Sequence, residues 1–332
     1  MPASQFGPKM MRLIRDEMIR GDAISDPPRR SWSRKYINAQ VQRLRRVFKW
    51  AAAHELAPVT VYQSLSTLEP LRRGRSAARE TDKVGPVSQQ LLDATTKFLS
   101  PTLQVLVELQ LRTGARAGEL LMLRPMDLVE DAKLCIWVFR PCSHKTSYRG
   151  MNRAIYIGPK AQGLLAPLLE SCAQDEYVFD PRKSEAARLY QRHAARKTPL
   201  SCGNRPGSNR KDAPSRTPGG RYSTAAYCRA VHRACEAAFP PPPPLGQQPG
   251  ETRADWRQRI KREQMQDELR QWRRAHSWHP HQLRHNAATN LRREFGLEAA
   301  QLALGHASAQ ITDAVYAERD HAKVVDIMRK IG

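Results

Sequence analysis

The spacing of hydrophobic residues along the chain indicates a protein built mainly from helices. From Ile37 onward, apolar side chains recur at Val41, Leu44, Phe48 and Ala51, in alternating steps of four and three that place them on one face of a helix. Comparable patterns and capping residues predict further helices. These cover residues 7–20, 59–69, 88–98, 101–113, 117–123, a segment from Pro159, 222–239, 251–275 and the chain from Pro280, with breaks at Gly296 and Gly305.

Two short segments have the composition of β-strands. Residues 134–140 and 154–158 are rich in β-branched and aromatic side chains, and the polar segment between them predicts a hairpin loop. We therefore expect a mainly α fold with a small β-sheet or hairpin. Two domains are predicted, a helical one at about 1–80 and a mixed α/β one at 86–332, joined by a basic linker at 71–88.

The distribution of charged residues along the chain indicates what kind of partner the protein binds. The 332 residues carry a net charge of +23, and their 40% hydrophobic content excludes a disordered chain. Residues 1–85 hold 17 basic and 8 acidic side chains, and residues 181–275 hold 21 and 8, whereas the two remaining segments are close to neutral. A uniformly basic packaging protein would not show this division. A DNA-processing enzyme with basic segments around a folded core fits this division, although the charge by itself indicates only a polyanionic partner.

The second basic segment contains a stretch of unusual composition. Residues 181–221 hold 11 basic and 2 acidic side chains, are rich in Gly, Pro and Ser, and show no apolar periodicity. A run of five prolines, Pro240 to Pro244, follows later. We predict a long, mobile surface stretch at 181–221, within a basic, Pro/Gly-rich insertion at about 181–250.

Other features exclude several classes of protein. No two of the six cysteines have the CxxC spacing of a zinc site, so we expect free thiols and no metal. No apolar run approaches the roughly 18 residues that a membrane span needs. The chain reads as a cytoplasmic, nucleoid-associated protein without a membrane partner.

Four sequence segments carry candidate chemistry. In chain order they are TGARAGELLMLRPMDL (113–128), SHKTSYRG (143–150), HPHQLRHNAATNL (279–291) and LALGHASAQITDAVYAERD (302–320). Each is weak alone, because an HxxR or a Gly-His pair is common by chance. Together, and in this order, they resemble the tyrosine recombinases, the phage-integrase-type site-specific DNA strand exchangers.

The resemblance implies a catalytic set of six residues, with Tyr316 as the nucleophile. No other tyrosine follows His281, and the step of ten from His306 to Tyr316 is one longer than in many members. Arg149 and Arg153 are the alternatives to the lysine in the predicted hairpin loop. Glu119 would anchor its helix or orient an arginine, and His285 would be structural. The implied set is Arg116, Lys145, His281, Arg284, His306 and Tyr316.

The chemistry that the resemblance implies is phosphoryl transfer between alcohols. The two arginines would hold the non-bridging phosphate oxygens, because guanidinium groups stay charged and donate paired hydrogen bonds. Lys145 would protonate the leaving 5′ oxygen. His281 would accept the tyrosine proton or contact the phosphate, and His306 would bind a non-bridging oxygen. The product would be a 3′-phosphotyrosine, which stores the bond energy, so neither ATP, a metal nor another cofactor is needed.

The resemblance also implies how DNA is bound. Domain 1–80 would be a helical core-binding domain that clamps double-stranded DNA with inverted half-sites against the catalytic domain 86–332, and a homotetramer would assemble on the DNA. We expect integration, excision or inversion of a DNA element. Two alternatives stay open, a tyrosine-type topoisomerase and a catalytically inactive DNA-binding regulator. The predicted DNA contacts are Arg43, Arg45, Arg46, Lys49, Arg72, Arg73 and Arg75.

Overall fold

The structure is a computed structural model of the chain, and it describes residues 2–22, 31–142, 153–199, 201–202 and 219–305. The chain forms two compact units, Met1–Val84 and Gly85–Gly332. Both are mainly helical, and the second also holds a three-stranded antiparallel sheet. The predicted fold class is therefore confirmed.

The described part of the first unit contains three α-helices around a small apolar core. They are α1 (Pro8–Arg20), α2 (Arg34–Ala53) and α3 (Val59–Ser66). Ile37 and Val41 of the predicted stripe are buried against Met11, Val61 and Leu65. The stripe predicted from residue spacing is therefore the face that packs.

Part of the predicted linker is packed against this first unit. The Asn38 side chain forms two hydrogen bonds with the backbone of Leu71, donating to its carbonyl at 3.0 Å and accepting from its N–H at 2.9 Å. Arg34 pairs with Glu80, and Ala78 is buried. Residues 71–80 are thus anchored to α2, because the asparagine amide pairs with the backbone as another strand would.

The second unit supplies the remaining elements. In chain order these are α4 (Gln89–Thr96), α5 (Pro101–Thr113), α6 (Ala117–Leu120), β1 (Leu128–Asp131), β2 (Ile136–Phe139), β3 (Ile155–Ile157), α7 (Pro159–Glu170), α8 (Pro181–Ala194), α9 (Thr224–Ala238), α10 (Arg253–Arg262), α11 (Gln266–Ala275) and α12 (Pro280–Leu304).

The sheet has the strand order β1-β2-β3, with Phe139 opposite both Leu128 and Ile155. Phe139, Ile155 and Ile157 are buried and pack into the core of the second unit. Strands β2 and β3 agree with the prediction. Strand β1 was not predicted, because its sequence LVED has exposed residues at both central positions and no alternation to detect.

Helix α5 lies at the centre of the second unit and packs against α12, α7 and β3. Its Leu106 and Leu109 are completely buried. The buried Gln110 side chain donates a hydrogen bond of 2.9 Å to the Pro280 carbonyl at the start of α12. This bond fixes the start of the HPHQLRHN segment against α5, since a buried amide is costly to leave without its partner.

Helix α8 shows that the prediction for 181–221 was wrong in its first third. Asp180 caps this helix by accepting the backbone N–H of Arg182 at 2.7 Å, and Pro181 occupies the first helical position. Glu185 and Arg188 then pair one turn apart. Local capping and side-chain pairing thus favour a helix where apolar periodicity is absent. Within the rest of 181–221, residues 200 and 203–218 lie outside the described residues.

Residues 251–275 form two helices rather than one. Helix α10 ends before Gln264, which has a positive φ of 57°, and α11 begins at Gln266. The pair has its own small core of Trp256, Ile260, Met265 and Leu269. The proline run ends in a turn, closed by a 3.0 Å hydrogen bond from the Gly246 N–H to the Pro242 carbonyl.

Helix α12 is broken where the sequence predicts. Gly296 has φ 88° and ψ 177°, a conformation essentially restricted to glycine, so two helical segments meet there. The second segment ends at Gly305, which is left-handed with φ 65°. The first segment carries His281 and Arg284, and the second leads toward His306.

Candidate active site

The turn between α5 and α6 depends on Gly114. This residue ends α5 in the left-handed conformation, with φ 62°. A Cβ atom here would lie 2.5 Å from Leu304 Cδ2 and 3.3 Å from Ala287 Cβ. Both the backbone conformation and the close approach of α12 therefore require glycine. The turn places Arg116 at the start of α6, beside the end of α12.

Arg116 is held by a carboxylate of its own helix. Glu119 accepts the Arg116 backbone N–H at 3.0 Å and its Nη1 at 2.6 Å. Glu119 is only 3% exposed, whereas 27% of the Arg116 side chain remains accessible. Glu119 therefore orients the Arg116 guanidinium, which stays partly accessible, in agreement with the role expected of Glu119.

Arg284 joins segments that are far apart in sequence. It is completely buried, and it donates from Nη1 to the Gly114 carbonyl at 2.7 Å and from Nη2 to the Leu304 carbonyl at 2.8 Å. One side chain thus connects three parts of the chain: the TGARAGEL segment, the HPHQLRHN segment and the residues just before Gly305. Arg284 therefore has a structural role, holding these segments together, and it also contributes a positive charge to the site.

The HPHQLRHN segment is also fixed from its other side. The Asn286 side chain accepts the Val87 N–H at 2.8 Å and donates to the Val87 carbonyl at 2.7 Å. Gln282 donates to the Gly85 carbonyl at 3.1 Å and accepts the His279 N–H at 3.0 Å. These bonds hold the first turns of α12 in place, and they therefore fix the backbone that carries His281 and Arg284.

Three histidines lie together at the start of α12. The His281 ring centroid is 6.5 Å from that of His279 and 5.4 Å from that of His285, and His281 is exposed. His285 is buried, as expected of a structural residue, and burial together with nearby His281, His279 and Arg284 lowers its pKa to about 4. Burial likewise lowers the pKa of His279, with His232 contributing. His285 therefore stays neutral, while His281 faces outward.

A third arginine, Arg153, lies against the Glu119 carboxylate. Its Nε is 3.6 Å from Glu119 Oε2, and its Nη1 donates to the Ala303 carbonyl at 3.3 Å. Burial opposes ionisation of Glu119, but the charges of Arg153 and Arg116 and the hydrogen bonds from Arg116 outweigh it and lower the pKa of this carboxyl. Burial also lowers the pKa of the Arg153 guanidinium, and the Glu119 charge opposes this shift.

The structure brings three of the six predicted residues together. Arg116, His281 and Arg284 lie around the α5–α6 turn and the start of α12. Lys145, His306 and Tyr316 lie outside the described residues, so their assignment remains a prediction.

The predicted DNA contacts of the first unit differ in accessibility. Arg45 is half-buried and donates a hydrogen bond of 3.0 Å to the Ser66 carbonyl, so it ties α2 to the end of α3. Arg72 pairs with Glu69 at 3.0 Å while remaining exposed. The side chains available to an external anion are Arg43, Arg46, Lys49, Arg72, Arg73 and Arg75.

The described residues hold neither a metal cluster nor a membrane-spanning helix. Within residues 2–22, 31–142, 153–199, 201–202 and 219–305, no group of three or more His, Cys, Asp or Glu side chains is arranged to hold a metal ion. None of the helices in these ranges combines the length and hydrophobicity that crossing a bilayer requires. All six cysteines are free thiols.

Comparison with known proteins agrees with this geometry. Residues 251–323, which include His281, Arg284, His306 and Tyr316, match the family model described as the Phage integrase family. The fold is similar to that of the Tn1549 transposon integrase in complex with circular intermediate DNA, with a TM-score of 0.55 over 99% of this chain and 86% of that chain. The chain has a tyrosine recombinase fold.

This fold extends over both units of the chain. A lambda integrase dimer bound to a core site matches 96% of this chain and 82% of its own, with a TM-score of 0.53. Sequence identity is low, at 13% to the transposon integrase and 14% to lambda integrase. No curated protein sequence matches the chain. The resemblance to tyrosine recombinases inferred from the four motifs is confirmed.

One residue of the site was not recognised from sequence. The sequence offers Arg153 only as an alternative to Lys145, whereas the structure places it against Glu119. Two signals point to it in retrospect. Arg153 lies two positions before the start of strand β3, and a buried glutamate next to a single partly exposed arginine leaves room for a second cation.

Proposed function

We propose that the protein is a site-specific DNA recombinase that cuts and rejoins DNA through a 3′-phosphotyrosine. One observation carries the proposal: within a tyrosine recombinase fold, Arg284 binds the carbonyl of Gly114, two residues before Arg116, although the two arginines are 168 positions apart in the chain. The match of 251–323 to the Phage integrase family supports it, because this segment contains the tyrosine that would act as nucleophile.

Each residue has a role in the proposed reaction. The Tyr316 oxygen attacks the phosphorus, a P–O bond forms, and the bond to the 5′ oxygen breaks. Arg116 donates to the non-bridging oxygens through its accessible guanidinium, and Arg284 supplies a permanent positive charge behind the phosphate. Lys145 gives its proton to the 5′ oxygen, His281 accepts the tyrosine proton, and His306 donates to a phosphate oxygen. Religation to a partner strand reverses these steps without ATP or a metal.

The proposal includes the partner and its arrangement. The first unit, Met1–Val84, would bind the DNA backbone through its exposed arginines and lysine, since cationic side chains without buried partners suit phosphate contacts. Exchange of strands between two duplexes requires cleavage at four positions, so we propose a homotetramer on paired inverted half-sites. Such a protein would act at the nucleoid.

Covalent trapping tests the proposed function. Duplexes that tile the DNA on both sides of the reading frame are first selected by binding to the Tyr316→Phe protein. Each selected duplex is then nicked near its centre, so that cleavage releases a short fragment and the adduct accumulates. Wild type should form a covalent protein–DNA adduct, and Tyr316→Phe should form none.

The same duplexes separate recombination from the two alternatives. Two copies of the selected duplex on one plasmid should yield exchanged products with the wild-type protein. Relaxation of any supercoiled plasmid without exchange would indicate a topoisomerase instead. Binding without an adduct would indicate an inactive regulator, and it would contradict the proposal.

A further inference from the structure

Arg153 has an environment that ordinary surface arginines lack. Its side chain is 7% exposed, and the residue lies two positions before the start of β3 and eight positions after Lys145 in the sequence. Its Nε lies 3.6 Å from Glu119 Oε2, and its Nη1 donates to the Ala303 carbonyl. One guanidinium thus contacts both the α6 carboxylate and the carboxyl end of α12.

The Glu119 carboxylate is shared by two cations. Arg116 binds it through the backbone N–H and Nη1, while Arg153 approaches Oε2 from the sheet side. Because Glu119 is almost completely buried, its negative charge persists only if cations offset the loss of hydration. The charge of Arg153 is the largest of the effects that favour the ionised carboxyl.

Arg153 depends on the same contacts. Among the described residues, its Nε and Nη2 have no hydrogen-bond acceptor, so its orientation rests on the Glu119 charge and the Ala303 carbonyl. A Cβ atom on Gly305 would lie 2.4 Å from Arg153 Nη1. The guanidinium is therefore enclosed at the point where the chain turns toward His306.

From these contacts we propose that Arg153 is a positioning residue for DNA cleavage: it holds the Glu119 carboxylate that orients Arg116, and it fixes the carboxyl end of α12 before His306. This inference rests on the proposed function of the site. It assigns Arg153 no contact with the substrate. Its effect on cleavage is transmitted through Glu119 and Arg116.

The proposal predicts a change in pH dependence. Without the Arg153 charge, one of the effects that lower the pKa of the Glu119 carboxyl is lost while burial still raises it, so this pKa rises. A protonated Glu119 loses its charge and can no longer accept both hydrogen bonds from Arg116. Cleavage should then decline at a higher pH than in wild type. A shift of about one pH unit corresponds to a roughly tenfold lower rate on the acid side.

The test compares single-turnover adduct formation on the nicked duplex across pH for wild type, Arg153→Gln, Arg153→Lys, Glu119→Gln and the double variant. Arg153→Gln should shift the acid side upward, and Arg153→Lys should restore much of it. Glu119→Gln should remove this shift, and adding Arg153→Gln to it should cause no further shift. A uniform loss of rate in Arg153→Gln, with an unchanged pH profile, would overturn the proposal.

Arg259→Gln is the matched control, because Arg259 is 8% exposed, pairs with Glu251 at 2.9 Å and donates to two backbone carbonyls outside the site. Its pH profile should match that of wild type.

Urea unfolding supplies a readout that needs no activity. The stability difference between wild type and Arg153→Gln should grow as the pH rises from 4 to 7, because only wild type keeps Glu119 readily ionised. The Glu119→Gln background should abolish this dependence. A difference independent of pH would overturn the proposal. Absence of an adduct in wild type would instead refute the proposed function, and unfolding would still decide whether Arg153 and Glu119 are coupled.

Discussion

Two groups of arginines, one in each unit, differ in how they are held. In the first unit, Arg43, Arg46 and Arg73 are exposed side chains on a helix or an adjoining loop. In the second unit, Arg153 and Arg284 are buried and bound to named carboxylate or carbonyl groups. The first group can move to follow a DNA backbone, whereas the second has one orientation fixed by folding.

Exposed and buried arginines therefore serve two different purposes, binding of the DNA backbone and orientation of charge at the site. An exposed guanidinium gives affinity that salt weakens, since its charge is hydrated and screened. A buried guanidinium with fixed partners has a defined geometry before any ligand arrives, which is what stabilisation of a transition state requires. Arg116 lies between these cases, because it is oriented by Glu119 while part of its side chain stays accessible.

The largest expected effect is that of Arg116→Ala. Loss of one preorganised donor should lower the single-turnover rate of adduct formation by roughly 10²–10³-fold, with little change in DNA affinity. Arg124→Ala is the control, since Arg124 is 25% exposed and pairs with Asp127 one turn away, outside the site. An equal loss of rate in both variants would contradict the special role of Arg116.

Arg284→Ala should affect folding as well as activity. It leaves the buried carbonyls of Gly114 and Leu304 without their donor. We expect the free energy of unfolding to fall by roughly 2–4 kcal/mol, since each unsatisfied buried polar group costs about 1–3 kcal/mol. Arg43→Ala in the first unit should change it by less than about 0.5 kcal/mol. Urea denaturation measures both, and equal effects would remove the distinction between the two groups.

His285 should make stability depend on pH. Its pKa falls from 6.5 to about 4 on folding, chiefly because of burial. Between these values the unfolded chain binds a proton that the folded protein does not, so the free energy of unfolding decreases as pH falls from 6.5 to 4. The full effect is roughly 3 kcal/mol. His285→Gln should flatten this dependence in unfolding measured at several pH values. An unchanged slope would show that His285 titrates normally.

The smallest effect is expected in the first unit. Replacing Arg43, Arg46 and Lys49 by Gln should lower the salt dependence of DNA binding, by up to about 0.9 in the logarithmic slope for each phosphate that is no longer neutralised. Arg45→Gln should leave the slope unchanged and cost about 1 kcal/mol of stability, because it loses the hydrogen bond to Ser66. The opposite result would make Arg45 a DNA-binding residue.

Much of the fold was predictable from local patterns. The α2 stripe, the glycine at the end of α5 and the break at Gly296 follow from spacing and backbone preference, which act within a few residues. The order of the motifs was sufficient to identify the family resemblance. Helix α8 and strand β1 were missed, because capping and pairing with a neighbouring strand determine them rather than periodicity.

The internal contacts of the site could not be predicted in the same way. The bond from Arg284 to the Gly114 carbonyl spans 170 residues, and the pair between Arg153 and Glu119 joins the segment just before β3 to a short helix. Such contacts depend on how elements pack, which the composition of a segment does not determine. The motif indicated that Arg284 matters without showing that its Nη atoms bind two backbone carbonyls.

The break at Gly296 changes the length scale of α12. A continuous helix rises about 1.5 Å per residue, so 20 residues would separate Arg284 from Leu304 by about 30 Å. Instead, Arg284 Nη2 lies 2.8 Å from the Leu304 carbonyl. At Gly296 the chain changes direction, so the second segment of α12 runs back toward the first. Its last residues are held by a hydrogen bond from Arg284, which lies near the start of the helix. The chain that continues to His306 and Tyr316 therefore starts beside the arginines rather than a helix length away.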